Sequence, residues 1–513
     1  MAKVAKNTAA LSAAQFSRIL LSFLQLKILS VGLSPHDLGA YFTLNALAAI
    51  LTFACQLGFP SVLTRFAAKY DVHGQKRALA RLMAIVTGIS LVAGAVLVAV
   101  FVPLSGPLTD GLYHGEIGAD VFVLAIAVLA LAAIRGTVYA FFDGLRRMEV
   151  GMLLETGFLA VVNALLFAYR DAFTLDLVFR IRLWVSVAFL VVTLALAARA
   201  LARLPYASGR EEAVLPDIRS FWLGAIFGSF VAVALSYGDQ FLISLFLSVE
   251  IVSVFAVATR VLQFYKVFLA VVPMALGPEI TRQWERGRRD EVLSEILGVF
   301  TRGQWALALF VSATSIGMSG LIIRTVSTEA YGRSALVLSL LCASLPLLSL
   351  FDSITTTMKS INRIRYSVLS DALWVASYLV SLVVLLRTGD VLAATAAYFL
   401  ASAITLAYNV RVAASQTRLR WRTGRLLRLL AFAPLIALAS WAGARWMPGP
   451  GLVQLAAGGA LAAVTFNFCV VASRLFDAQE VERMAQLVER PAWRRAFRAV
   501  WRWPERLLRV RPA

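Results

Sequence analysis

The chain has 513 residues, 60% of them hydrophobic and 15% charged, with a formal net charge of +20. Soluble domains are roughly 45–50% apolar and about 25% charged, so a water-soluble globule is excluded: there is too little polar surface to cover the apolar mass. The positive charge sits in loops and in the tail, which directs it toward anionic lipid headgroups rather than nucleic acid.

Runs of about 20 apolar residues match the hydrocarbon thickness of a bilayer. Fourteen spanning helices are expected, at about 9–31, 38–62, 82–103, 119–142, 152–169, 175–198, 220–246, 251–274, 303–323, 334–357, 366–386, 391–410, 429–446 and 452–473. The first is read as retained, because no small-residue cleavage site follows a short apolar core. Alternate loops are basic. One set carries Arg65, Lys69, Lys76, Arg77 and Arg81, then Arg146 and Arg147, and continues to the run from Arg411 to Arg428. The other set holds only Arg170, Arg324, Arg333, Arg387 and Arg445, and Pro103–Asp120 has acids but no Lys or Arg. The positive-inside rule puts the basic set and both termini in the cytoplasm.

Eight basic residues fall inside spans: Arg18, Lys27, Arg135, Arg180, Arg182, Arg260, Lys266 and Arg302. Near a helix end a long stem lets the charge reach the interface, and Lys27, Arg180, Arg182 and Arg302 fit that description. Arg135 fits it and a wet interior equally. Arg18, Arg260 and Lys266 lie near mid-span, where a charge costs several kcal/mol unless it meets water or a partner.

Polar stripes at helical spacing point the same way. Gln15, Arg18, Ser22 and Gln25 share one arc of the first span, and Tyr41, Asn45, Thr52 and Gln56 share one of the second. The seventh carries Ser229, Ser236, Asp239 and Gln240, and the eighth Thr259, Arg260, Gln263 and Lys266. The eleventh has Ser367, Ser370, Asp371, Trp374, Ser377, Tyr378 and Ser381 on one side. Stripes of Ser alone are as well explained by helix–helix hydrogen bonds; stripes that also hold Arg, Lys or Asp are expected to line water. The last two spans lack such stripes and are read as peripheral. The cysteines Cys55, Cys342 and Cys469 lie inside apolar runs and read as packing residues, with no disulfide, metal or cofactor expected.

The segment Leu33-Ser-Pro-His-Asp-Leu-Gly-Ala-Tyr41 after the first span has a counterpart in Leu247-Ser-Val-Glu-Ile-Val-Ser-Val-Phe255 after the seventh. This weak repeat suggests two six-span lobes, 1–200 and 219–413, joined by a cytoplasmic linker at 201–218. Two additional helices (414–475) and a basic amphipathic tail (476–513) would follow. In that tail Trp493, Arg494, Arg495, Phe497, Arg498, Trp501, Arg502 and Trp503 interleave rings and guanidiniums, as a helix lying on anionic lipid does.

The run Gly32-Leu-Ser-Pro-His-Asp-Leu-Gly39-Ala-Tyr41, with Gln56-Leu-Gly58-Phe-Pro60 and Arg65-Phe66, resembles the opening of Wzx-type polysaccharide-repeat-unit flippases. Their superfamily also holds multidrug extruders and lipid II flippases. The stretch Asp239-Gln-Phe-Leu-Ile … Val254-Phe-Ala-Val-Ala-Thr-Arg260 … Pro273 is similar to the corresponding second-lobe segment of that family. The resemblance implies an all-α polytopic protein of the bacterial inner membrane, with two six-helix bundles in a V and alternating access to a central cavity. It implies as cargo an oligosaccharide on a polyprenyl diphosphate, with polysaccharide polymerase or export proteins as further partners. Arg18, Arg260 and Lys266 would then face the diphosphate. Gln15, Asn45, Gln56 and Gln263 would hydrogen-bond sugar hydroxyls, and Tyr41 and Trp374 would stack on sugar faces. Asp239, Asp371 and Asp352 are the candidate carboxylates for ion coupling, with a Lys359 or Arg363 ion pair as the competing role of the last two. No phosphate-binding Gly-x-x-x-x-Gly-Lys-Ser/Thr loop is present. The alternatives are an ion-coupled multidrug or small-molecule antiporter, which calls for an acidic cavity, and a lipid II flippase. A membrane enzyme is disfavoured, because Pro103–Gly118, with Asp110, His114 and Glu116, is too short an outer loop for an acceptor site.

Overall fold

Lipid offers backbone amides no partner, so helices that satisfy themselves are the available form for an open chain of this composition. The computed structural model describes residues 2–113, 115–204, 214–287, 297–416, 423–477 and 480–481. Among them helices dominate and no strand occurs. In chain order they are α1 (Ala2–Gly32), α2 (Pro35–Gln56), α3 (Phe59–Val72), α4 (Lys76–Phe101), α5 (Ser105–Tyr113), α6 (Ala119–Gly144), α7 (Met148–Ala168) and α8 (Leu175–Ala202). Next come α9 (Val214–Phe246), α10 (Val249–Glu285), α11 (Leu297–Gly317), α12 (Ser319–Val326), α13 (Ser334–Ala343) and α14 (Leu345–Ser360). The last are α15 (Ile364–Leu386), α16 (Leu392–Gln416), α17 (Thr423–Ala431), α18 (Ala433–Trp446) and α19 (Gly451–Ala472).

Among the described residues, 10 helical stretches are long and apolar enough to cross a membrane, or 12 if two bent pairs each form one span. The expected count of fourteen is therefore not reached on that criterion. The remaining two expected spans fall on α1 and α9, of 31 and 33 residues, ample length at ~1.5 Å per residue. The bends are 77° between α11 and α12 and 41° between α13 and α14. The second follows Ser344, where Pro346 opens α14 and lacks the amide that would continue the ladder.

The expected single span at 38–62 is also broken. Ser34 caps α2 by accepting the Asp37 amide at 3.1 Å, with Pro35 in the first turn. The helix then ends at Leu57, at φ 45°, followed by Gly58 at φ 75°. A Cβ on Gly58 would come within 2.7 Å of the Ala225 backbone, so both the left-handed conformation and the close approach of α9 require glycine here. The Leu57 carbonyl accepts the Trp222 indole N–H at 2.8 Å, and that indole stacks on Phe59 at 5.3 Å. An otherwise orphaned helix-end acceptor is satisfied from another helix.

The chain divides into two compact units. Unit 1 comprises Met1–Ala256 with Val326–Thr328, and unit 2 comprises Val257–Thr325 with Glu329–Ala513. The expected linker at 201–218 lies partly outside the described residues, as does the tail beyond Val481.

In unit 1, α6 is the central post, packing against α2, α3, α4, α5, α7 and α8. Its apolar core includes Val62, Leu63, Phe66, Tyr70, Leu79, Val86, Val138 and Phe141. Buried Ser90 and Thr137 join α4 to α6 at 3.1 Å. In unit 2 the Ser353 hydroxyl donates to Gln304 Oε1 at 2.7 Å, joining α14 to α11, and Asn409 donates to the Ser370 hydroxyl at 2.6 Å, joining α16 to α15. The last two spans share an apolar core with α11 through Trp305, Leu309, Ala313, Ile436, Ala462 and Cys469, and Ser440 of α18 donates to the Thr314 carbonyl at 3.3 Å. Cys55, Cys342 and Cys469 are buried free thiols.

Candidate functional site

Unit 1 gathers charged and polar groups from five of its helices. Arg18 of α1 bridges Glu155 of α7, Nη1 to Oε1 at 3.1 Å, with both side chains about half exposed. On α8, Arg182 donates to the Tyr41 hydroxyl at 2.9 Å and to Asn45 Oδ1 at 2.8 Å. Its guanidinium also lies 5.3 Å from the Tyr41 ring centroid and 5.9 Å from that of Phe179. Arg135 of α6 is buried, with the Phe158 ring at 4.0 Å and the Ser186 hydroxyl at 3.4 Å. Arg182 and Glu155 lie within electrostatic reach of Arg135, and Glu155 within reach of Asp143. Lys27 donates to the Ser327 carbonyl.

Unit 2 handles its cation differently. The ammonium of exposed Lys266 on α10 sits 5.0 Å from the Tyr398 ring centroid and 5.9 Å from that of Trp374. Trp374, Tyr378 and Tyr398 form a mutually packed cluster with centroids 5.0–5.5 Å apart, a geometry that favours a cation at the rings. Asp352 of α14 is within electrostatic reach of Lys266, Asp371 and Lys359. Asp371 pairs with Lys359 at 3.6 Å, the ion pair the sequence offered as its competing role.

The other expected site residues fall as follows. Gln56 donates to the Ala133 carbonyl at 2.8 Å and ties α2 to α6. Tyr41 and Trp374, expected to stack on sugar, are each 5% exposed. Arg260 and Gln263 are half-buried on α10, and Asp239 of α9 is half-buried with Oδ1 accepting the Gln240 amide at 2.7 Å. The side chain of Gln15 lies outside the described residues. The stripe on α15 is a helix seam: Ser367, Ser370, Trp374 and Tyr378 are buried, and Trp374 donates to the Ser402 hydroxyl of α16 at 3.5 Å. The water-lining role expected for this stripe gives way there to helix–helix hydrogen bonding.

Three charges for which the sequence allowed snorkelling are interior. Arg182 and Arg135 turn into unit 1, and Arg302 is 4% exposed and bridged to Glu480 at 2.5 Å. Distance to a helix end gave no information about the face. On α8 the signal was available: Arg182, Ser186 and Thr193 recur at i, i+4 and i+11, and Ser186 and Thr193 are buried. Arg180, two residues away on the other face, is exposed and pairs with Asp176 at 2.6 Å, as a snorkelling residue should. Glu155 had no comparable local signal, since its partner is 137 residues distant. Among the described residues, no group of three or more His, Cys, Asp or Glu could hold a metal ion.

No curated protein sequence matches the chain. Its fold is similar to that of "Lipid II flippase MurJ, inward closed conformation", with a TM-score of 0.65 at 10% identity, covering 90% of this chain and 97% of that one. It is also similar to an inward-facing multidrug resistance MATE family transporter of the MOP superfamily (TM-score 0.62, 14% identity, 78% of this chain and 95% of that one). A third similar structure is a mutant of the Vibrio cholerae MATE transporter VcmN (TM-score 0.55, 14% identity, 81% and 98%). At these identities the likeness is one of fold. Residues 4–284, more than half of the chain, match the family described as polysaccharide biosynthesis protein. With its apolar helices and interior cations, this polytopic membrane protein belongs to the polysaccharide biosynthesis protein family.

Proposed function

We propose that the protein moves a polyprenyl-diphosphate-linked oligosaccharide from the cytoplasmic to the outer leaflet of a bacterial inner membrane, by alternating access through a cationic central cavity. The observation that carries this reading is the pair of incompletely buried cations inside long helices, Arg18 in unit 1 and Lys266 in unit 2. A charge within a span is retained where it faces water or an ion, and an oxyanion headgroup is the cargo chemistry that matches guanidinium and ammonium groups. Family membership supports a role in polysaccharide assembly, and a lipid-linked cargo is also what the MurJ neighbour is named for. The basic loops support cytoplasmic termini.

In this reading Arg18, Arg260 and Lys266 meet the diphosphate, while Gln15 and Gln263 offer amides to the sugar. Tyr41, Asn45 and Trp374 act on the cargo indirectly, by holding Arg182 and Lys266 in place. Asp239, Asp352 and Asp371 are the carboxylates for ion coupling. The network around Asp352 also favours a second reading, an ion-coupled small-molecule antiporter, because it puts two carboxylates beside two lysines.

The test is reconstitution into vesicles with a fluorescent oligosaccharide on a polyprenyl diphosphate. Arg18→Ala and Lys266→Ala should each slow flipping about tenfold, the scale of a lost hydrogen bond to a charged group, with insertion unchanged. Wild-type vesicles that leave this lipid in place, yet expel a cationic dye against an ion gradient, would support the antiporter instead.

A further inference from the structure

The guanidiniums of Arg18, Arg135 and Arg182 in unit 1 are not equally committed. Arg182 is held by two hydrogen bonds and two rings, and Arg135 is buried against Phe158 and Ser186. Arg18 makes one 3.1 Å contact to one oxygen of Glu155, and those side chains are 36% and 41% exposed. An arginine carries five N–H donors in a fork suited to two oxyanion oxygens, so a single contact leaves most of the Arg18 donors without an acceptor among the described residues. Glu155 in turn is the carboxylate within electrostatic reach of Arg135, Tyr139 and Asp143 on α6.

We infer that Glu155 is an internal stand-in for a phosphate group: its carboxylate occupies Arg18 while no anionic headgroup is bound, and an arriving phosphate displaces it. This rests on the function proposed above and adds a residue that sets affinity. Carboxylate and phosphate present the same kind of acceptor oxygens to a guanidinium, so they compete for one donor set. The Glu155 carboxylate bridges Arg18 and lies within electrostatic reach of Arg135. Without that charge these two guanidiniums lose a nearby carboxylate, and the field acting on an anion rises. A carrier must also let its cargo go, and a competitor tethered to the neighbouring helix hastens that release by reclaiming Arg18.

The experiment uses the full chain in lipid nanodiscs, with farnesyl diphosphate and inorganic pyrophosphate as separate probes, alongside the vesicle assay. Glu155→Gln should bind farnesyl diphosphate about two- to fivefold more tightly, the scale of a half-exposed ion pair, while lowering both KM and kcat for flipping. Glu155→Asp, whose shorter carboxylate competes less well, should shift the same way by less and guards against misfolding of the Gln variant. A gain for pyrophosphate as large as that for farnesyl diphosphate assigns the site to the phosphate group itself; a gain confined to farnesyl diphosphate assigns it to a lipid-borne head. Unchanged or weakened binding in Glu155→Gln, while Arg18→Ala still weakens binding, overturns the competitor role and leaves the proposed function standing. If Arg18→Ala changes neither binding nor flipping, the cationic site itself is wrong and the competitor role goes with it.

Discussion

The two units meet the same problem, a positive charge among apolar helices, with different chemistry. Unit 1 uses arginine and surrounds it with oxygen acceptors from neighbouring helices: Glu155 for Arg18, Tyr41 and Asn45 for Arg182, Ser186 for Arg135. Unit 2 sets a lysine against the rings of Trp374 and Tyr398. The difference follows from the cations. A guanidinium is planar and directional, so it can tie two helices together through separate N–H groups; an ammonium is a compact point charge that gains from any negative surface, including a ring face. Unit 1's cations are therefore structural hubs as well as charges, whereas Lys266 has the rings of Trp374 and Tyr398 beside it and Asp352 within electrostatic reach. Arg302 is one exception within unit 2, which also holds half-buried Arg260: Arg302 is almost fully buried and bridged to Glu480, a counter-charge that offsets its desolvation.

That exception should give the largest effect. Glu480→Gln would remove the carboxylate bridged to buried Arg302 and lower the stability of unit 2 by about 3–5 kcal/mol, read as a drop in thermal unfolding temperature in detergent. Arg302→Met combined with Glu480→Gln should recover much of the loss, because two neutral groups carry no desolvation penalty. No change in the single variant would mean that the contact is not maintained in the membrane.

The contrast itself is sharpened by exchanging the cations. Arg182→Lys keeps the charge but gives up the planar guanidinium whose Nη1 donates to Tyr41 and Asn45 beside the Tyr41 and Phe179 rings, and should cost about 1.5–3 kcal/mol of stability. Lys266→Arg puts a guanidinium over the same rings and should stay within about 1 kcal/mol. Equal losses from the two exchanges would erase the distinction between the units. The smallest effect is expected for Asp371→Asn. Its bridge to Lys359 is half-exposed, 54% at the lysine and 32% at the aspartate, and should contribute no more than about 1 kcal/mol. A larger drop in flipping than in stability would move Asp371 from structure to coupling.

The spans were legible because lipid imposes a length and an apolar composition that no other constraint overrides. Breaks within them were less so. Gly58 and Pro60 are visible in the sequence, but the turn at Leu57 depends on Trp222, 165 residues away, to satisfy the freed carbonyl. In the site, Arg18 and Lys266 stood out by their depth along a helix. Arg135, Arg182 and Arg302 did not, because depth along a helix and the direction a side chain faces are separate quantities, and a long stem reaches the interface only when both allow it. Trp374 was found but assigned an open face; its ring is instead packed by Tyr378 and Tyr398, contacts that depend on how α15 and α16 pair.

The indole at the end of α2 has a mechanical consequence. A bend whose spare acceptor was met by water could flex at little cost, since one solvent molecule replaces another. Here the cap comes from α9, and its ring is also stacked on the first residue of α3. Straightening the corner would strip a carbonyl in an apolar setting of its donor and unstack an aromatic pair in the same motion. The corner and α9 are thus riveted together, so a tilt of one carries the other along as a single rigid lever.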